Sequence, residues 1–259
     1  MIPTDPSSRL EPAINLAGWR VNSLAEVDST QRAAAQLPAW SAVLAACQTG
    51  GRGQRERLFA SDPGGLYLTA VVPFDGNAAQ WRGFALAVGW ALRNGLLEAE
   101  VGDLRLRWPN DLMIGSRKIG GILVEQGGPQ TLLIGLGLNI TNQPWLADPA
   151  LQDVAGRLLD YSERPLTGPA QLLEPVLRAI RRAHEEFGAR RLAGMAAMLN
   201  SGWGPRRRVS LEPAGGIELP EREGTFAGID ETGHVLLARP EGSVLRVPEH
   251  HIQRLVELE

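Results

Sequence analysis

The chain has 259 residues, 44% of them hydrophobic and 21% charged, with a formal net charge of −3. That length and balance suit one catalytic domain with a small appendage, exclude a disordered or fibrous chain, and give no global attraction to nucleic acid. A single cysteine, Cys47, rules out a disulfide framework or a paired-cysteine metal site, no apolar run approaches the roughly 20 residues of a membrane span, and residues 1–12 do not have the basic-then-apolar order of a signal peptide.

Residues 1–18 read as a leader. Residues 19–27 read as a strand, and Ser29 or Thr30 is placed to cap a short helix over 31–37. The apolar run 41–47 predicts a strand that buries Cys47, and 50–57 is a loop rich in glycine and arginine. Residues 66–72 read as a strand and 78–97 as a helix, weakened by Gly83 and Gly89. A strand over 104–108 runs into the turn Pro109-Asn110-Asp111. Apolar strands at 119–125 and 131–138 flank the hairpin turn Gly127-Gly128-Pro129. Over 169–199, Leu172, Leu173, Val176, Leu177 and Ile180 share one helical face.

Beyond Gly202-Trp203-Gly204-Pro205 the pattern changes to short alternating strands. Turns at Gly215-Gly216, Asp230-Glu231-Thr232-Gly233 and Pro240-Glu241-Gly242 predict a small all-β barrel. The expected organisation is a leader (1–18), an α+β catalytic domain (19–203) and a C-terminal β-barrel (204–259).

Four segments carry chemistry. Gly50-Gly51-Arg52-Gly53-Gln54-Arg55-Glu56-Arg57 combines backbone freedom with three guanidinium groups suited to phosphate or carboxylate oxygens. It is not a Walker A loop, because no Gly-Lys-Ser/Thr follows. In Arg107-Trp108-Pro109-Asn110-Asp111-Leu112, a proline-fixed turn presents a carboxamide and a carboxylate, and read alone it is an Asx turn. Arg117-Lys118-Ile119-Gly120-Gly121-Ile122-Leu123-Val124-Glu125 sets a cation beside small residues, where developing negative charge can be met; read alone, Lys118 is a strand-edge lysine. In Ile134-Gly135-Leu136-Gly137-Leu138-Asn139-Ile140, two glycines inside an apolar strand suggest close approach by a ligand, without the continuation of a dinucleotide fingerprint.

Taken in order, Asp28-Ser29-Thr30, the Gly-Arg-Gly loop, Trp108-Pro109-Asn110-Asp111, Lys118 through Glu125 and Gly135 through Asn139 resemble the biotin protein ligase family. The resemblance covers about residues 20–140 and accommodates the C-terminal β module. It implies a mixed sheet with flanking helices, followed by an SH3-like barrel. The activity it implies is formation of biotinyl-5′-AMP from biotin and ATP with Mg²⁺, then transfer of biotin to a lysine of a biotin carboxyl carrier domain. By the same resemblance, Ser29, Thr30, Gln48, Gly51, Gly120 and Gly121 belong to the biotin site. Arg52, Lys118 and Asp111 carry the reaction, with Arg52 and Lys118 touching both substrates. Arg55, Arg57, Phe59, Asn110, Asn139 and Arg254 face the nucleotide. No protein metal site is assigned.

The sequence departs from the family pattern at two positions. Gln54 stands where an arginine is usual, which predicts weaker retention of the adenylate, and Phe59 stands where a tryptophan is common. A lipoate ligase is the nearest alternative, and a non-catalytic biotin-binding regulator is the alternative from another class. With only about 20 residues before the first strand, a helix-turn-helix repressor domain is not expected. A cytoplasmic location with no nucleic-acid or membrane partner is expected, and a homodimer is left open.

Overall fold

A computed structural model describes residues 13–258. An eight-stranded sheet forms the centre, made of β1 (Ile14–Leu16), β2 (Trp19–Val27), β3 (Ser41–Gln48), β4 (Leu66–Pro73), β5 (Arg105–Arg107), β6 (Asp111–Ile114), β7 (Arg117–Gly128) and β8 (Thr131–Leu138). The strand order is β1-β2-β3-β4-β8-β7-β6-β5, and only β2 and β3 run parallel. This is the mixed sheet that the family resemblance implies.

The period of two along each strand sorts the side chains onto two faces. On one face, Leu66, Leu68, Ala70 and Val72 of β4 and Leu132, Ile134, Leu136 and Leu138 of β8 enter the main core. Helices α2 (Phe84–Glu98) and α3 (Ala170–Asn200) cover them. Truncating one of these leucines to alanine costs about 2–5 kcal/mol. On the opposite face, α1 (Thr30–Ala34) covers one end through a small cluster with Ala34 against Leu24, Val43, Ala45, Val71 and Leu133. The rest of that face is the floor of a cleft.

Several local expectations change. Part of the expected leader, Ile14–Leu16, pairs antiparallel with β2 as β1, while residues 1–12 lie outside the described residues. Neither hydroxyl caps α1: Ser29 makes no side-chain cap bond, and Thr30 Oγ1 bonds Gln48 instead. The helix expected over 78–97 is broken at Gly83, whose φ of 78° is left-handed, leaving a short 3-10 turn (Ala78–Trp81) before α2. Cys47 is half-buried rather than buried, because it lies near the end of β3 beside Glu26.

After α3 comes a five-stranded antiparallel sheet of β9 (Arg208–Pro213), β10 (Glu223–Ile229), β11 (Val235–Ala238), β12 (Val244–Val247) and β13 (Ile252–Glu257), in the order β12-β11-β10-β9-β13. Its apolar side, including Val209, Leu211, Val235, Leu237 and Ile252, merges with the main core. Two polar clamps fix the module. Arg105, 7% exposed, bonds both carboxylate oxygens of Glu257 at 2.7 and 2.6 Å, and Asn200 exchanges two 2.9 Å bonds with the backbone of Ile229. Among the described residues, no helix is long and apolar enough to cross a membrane.

Candidate active site

Cross-strand register builds the cleft floor. Ala45 pairs with Tyr67, Tyr67 with Gly137, Gly137 with Gly121, Gly121 with Asp111 and Asp111 with Arg107. Paired residues point to the same face, so this row crosses from α1 to the far edge of the sheet, with two glycines at its middle. The row beside it places Thr69, Gly135 and Leu123 together. Small residues at the centre lower the floor, and polar groups remain at both ends. The resulting cleft holds about 350 Å³.

At the far end, three charges meet. Asp111 Oδ1 is 2.6 Å from Lys118 Nζ, and Oδ2 accepts from Arg107 Nε at 3.1 Å and Nη2 at 2.6 Å. Burial by itself would raise the Asp111 pKa, but the Lys118 and Arg107 charges outweigh it and hold the carboxyl below its ordinary range. Asp111 is therefore an ionised anchor that fixes both cations, with no oxygen poised as a base. Lys118 is no edge lysine, since β7 lies between β6 and β8. Its backbone also holds the 154–156 segment, bonding Val154 O at 2.8 Å and Gly156 N at 2.9 Å. Asn110 does not close an Asx turn on its own backbone. Its amide donates to Ile122 O at 2.6 Å and pins the turn onto β7.

The near end is neutral and polar. Gln48 Oε1 accepts from Thr30 N at 2.8 Å and Thr30 Oγ1 at 3.1 Å, while its Nε2 donates to Ser61 at 2.9 Å. Thr69 Oγ1 lies 2.9 Å from both Thr30 Oγ1 and Gln31 Oε1. Gln31 Nε2 donates to Glu125 at 3.0 Å, which sets the orientation of its amide. Two hydroxyl protons thus serve three oxygen–oxygen contacts, and acceptor capacity is left for an N–H donor.

Over the floor folds a flap of residues 51–59. Gly53 N bonds Arg57 O at 2.7 Å, Phe59 N bonds Gly51 O at 2.9 Å, and Arg52 bridges Leu58, so the flap is a small hairpin. Phe59 sits over Gly137, where a Cβ would lie 2.5 Å from its ring. Gly135 is filled in the same way by Gln31 Oε1, 2.8 Å from the position of its Cβ. The close approach expected of a ligand at this Gly-x-Gly is made by the protein's own side chains.

Of the residues expected from the sequence, Ser29, Thr30, Gln48, Arg52, Arg55, Arg57, Phe59, Asn110, Asp111, Lys118, Gly121 and Arg254 line the cleft. Gly51, Gly120 and Asn139 do not. Gly51 packs under Ser61 and the Phe59 carbonyl, and Gly120 faces the Leu138 side of the sheet. Asn139 is buried, donating to Gly156 O at 3.0 Å and accepting from Asn142 at 3.1 Å, so it braces the connection after β8. Gln31, Thr69, Arg107, Leu123 and the 151–155 segment line the cleft without having been singled out as site residues. Thr69 was legible as the one aliphatic hydroxyl in a largely apolar strand. The contribution of 151–155 had no local signal.

The lining carries six cations (Arg52, Arg55, Arg57, Arg107, Lys118 and Arg254) against the single carboxylate of Asp111. Such a cleft attracts an anion although the whole chain is acidic.

A family model described as the biotin/lipoate A/B protein ligase family matches residues 18–139. The bifunctional ligase/repressor BirA of Escherichia coli (strain K12) is 31% identical over 242 residues, covering 86% of this chain and 70% of that protein. This chain belongs to the biotin/lipoate A/B protein ligase family. The biotin–[acetyl-CoA-carboxylase] ligase of Paracoccus denitrificans is 29% identical over 232 residues, covering 85% of this chain and 94% of that protein. A solved biotin protein ligase from Aquifex aeolicus, in complex with biotin and ATP, superposes with a TM-score of 0.74 at 25% identity, covering 92% of this chain and 99% of that one. The Lys118–Asp111–Arg107 group, the flap and the polar near end all line one cleft.

Proposed function

We propose that this protein activates biotin with ATP and passes the biotinyl group to a lysine of a biotin carboxyl carrier domain. The observation that carries this reading is the division of one cleft into a neutral end with spare acceptors for N–H groups and a cationic end beneath an arginine-bearing flap. Biotin has the matching polarity, with ureido N–H donors at one end and a carboxylate at the other. Thr30, Thr69 and Gln48 are the groups available to the ureido ring. The apolar stretch of Leu123 and Gly121 accommodates the carbon chain, and Lys118 receives the carboxylate.

In the first step a biotin carboxylate oxygen attacks the α-phosphorus of ATP. The bond to the β-phosphate bridge breaks, and pyrophosphate leaves. Two anions must approach one another, and cations fixed beforehand lower that barrier. Lys118 and Arg107 are such cations because Asp111 holds them in place, and Arg52 supplies a third from the flap. In the second step the carrier lysine, as a neutral amine, attacks the biotinyl carbonyl carbon. The carbon–oxygen bond to AMP breaks, AMP leaves, and the amine loses its proton to solvent. Asp111, kept ionised, contributes orientation in preference to proton removal. Among the described residues no group of three or more His, Cys, Asp or Glu side chains could hold a metal ion. Mg²⁺ would be bound chiefly through the ATP phosphates and would offset part of their charge.

ATP–pyrophosphate exchange tests the first step. Biotin should support it and lipoate should not, and Lys118→Ala should lower it by about 10²–10³-fold, as removal of one preorganised donor does elsewhere. Labelled biotin should then appear on a carrier domain. Exchange driven by lipoate, or by neither acid, would refute the assignment.

A further inference from the structure

The flap is tied at its tip as well as its base. Arg55 occupies that tip with φ 58° and ψ 43°, a left-handed conformation uncommon for a residue with a side chain. Its Nη2 donates to the carbonyl oxygen of Ile252 at 2.6 Å, bridging 197 residues of sequence. Ile252 is fully buried and opens β13. That strand has little freedom: it is paired along β9, and Glu257 at its far end is gripped by Arg105. The carbonyl is thus a fixed post. Glu249, on the turn before β13, has its pKa raised by burial, while the charges of Arg82, His250 and Arg55 act in the opposite direction, so it is in electrostatic reach of the guanidinium. Gln253, Arg254 and Leu255 reach the cleft from the same strand, so post and cleft are adjacent.

We propose that Arg55 is a positioning residue that clips the flap to the C-terminal module, so that the module helps to keep the flap closed over the reaction intermediate. The resemblance assigns Arg55 to the triphosphate; the geometry gives it a protein partner before any nucleotide arrives. Its consequence for biotinyl-AMP rests on the proposed adenylation, whereas the clip itself is a property of the ligand-free protein.

Two variants of the full chain test this. Arg55→Ala removes the guanidinium, and Arg55→Gly removes it while relaxing the left-handed backbone, so agreement between them isolates the side chain. Hydrogen exchange of the flap amides of Gly53 and Phe59 is measured without ligand, and release of biotinyl-AMP supplied directly is measured separately. Both rates should rise about tenfold in both variants, equivalent to about 1.4 kcal/mol and of the size expected from losing a single hydrogen bond. Replacing Glu249→Gln should raise flap exchange by a smaller factor. Flap exchange within about twofold of wild type in both variants, with only ATP binding weakened, would overturn the clip and return Arg55 to the phosphates. Failure of the wild type to adenylate biotin would overturn the proposed function and leave the flap measurement standing.

Discussion

Replacing Gly137 by alanine sets a methyl group where a ring already is. The new Cβ would lie 2.5 Å from Phe59 Cε1 and 2.6 Å from Cζ. Carbon atoms in favourable contact stand about 3.5–4.0 Å apart, so the two must separate by about 1 Å. Gly137 cannot move, because β8 is paired on both sides, to Tyr67 of β4 and Gly121 of β7. The half-buried ring of Phe59 gives way instead and takes the base of the flap with it. Overpacking of a core costs about 1–3 kcal/mol, and a ring with solvent on one side falls in the lower half of that range. For a chain of this size the midpoint of thermal unfolding should drop by about 2–6 °C. A double-mutant cycle with Phe59→Ala isolates the cause. Without the ring, Gly137→Ala should cost close to nothing, giving a coupling energy of about 1–2 kcal/mol. Equal costs in the two backgrounds would refute the idea that the ring requires this glycine.

Three further outcomes follow from the geometry. Gln54→Arg adds a cation to the flap where Gln54 lines the cleft, and should slow escape of biotinyl-AMP by about threefold or more; equal escape rates would overturn the weaker retention attributed to Gln54. Arg105→Met takes both hydrogen bonds from Glu257, whose side chain is 17% exposed, and leaves it only the ion pair with Arg207 at 3.9 Å; it should cost about 3 kcal/mol in urea unfolding, the lower end of the range for a broken buried pair. The double replacement Arg105→Met with Glu257→Met should recover part of that loss. His184 is held below its ordinary pKa, first by burial among Trp40, Trp81 and Phe84, and also by the charges of Arg181 and Arg191, although its bond to Pro73 O opposes this. Its neutral form is the native one, so its contribution to stability is complete above about pH 6.5 and declines as the pH falls toward the depressed value. The unfolding midpoint should therefore drop as the pH falls below about 6.5, and His184→Phe should flatten that part of the curve.

The strands β2, β3, β4, β7 and β8, the helical segment α3 apart from its break at Arg191 (φ 55°), and the C-terminal β module were legible in the sequence, because alternation and helical periodicity are local records of burial. The motifs of the ligase family were legible too, since Arg52, Asp111 and Lys118 bring their own chemistry wherever they are placed. Periodicity could not reveal partners across the sheet. It left Arg107 and Lys118 as separate cations, whereas strand register brings both to one carboxylate. Gly135 and Gly137 were read as positions where a ligand comes close, whereas in the structure protein side chains lie against them. What approaches them, Gln31 and Phe59, lies about 100 and 80 residues earlier in the chain and is brought there by folding alone. Asn139 stands at the end of the same motif and turned out to brace a turn, because its amide found Gly156 and Asn142 within reach. The chemistry of this protein is thus written in residue types along the chain. Which residue meets which is decided by register, crossover and the docking of β13 beside the flap, since contacts across such separations leave no periodic trace in a single sequence.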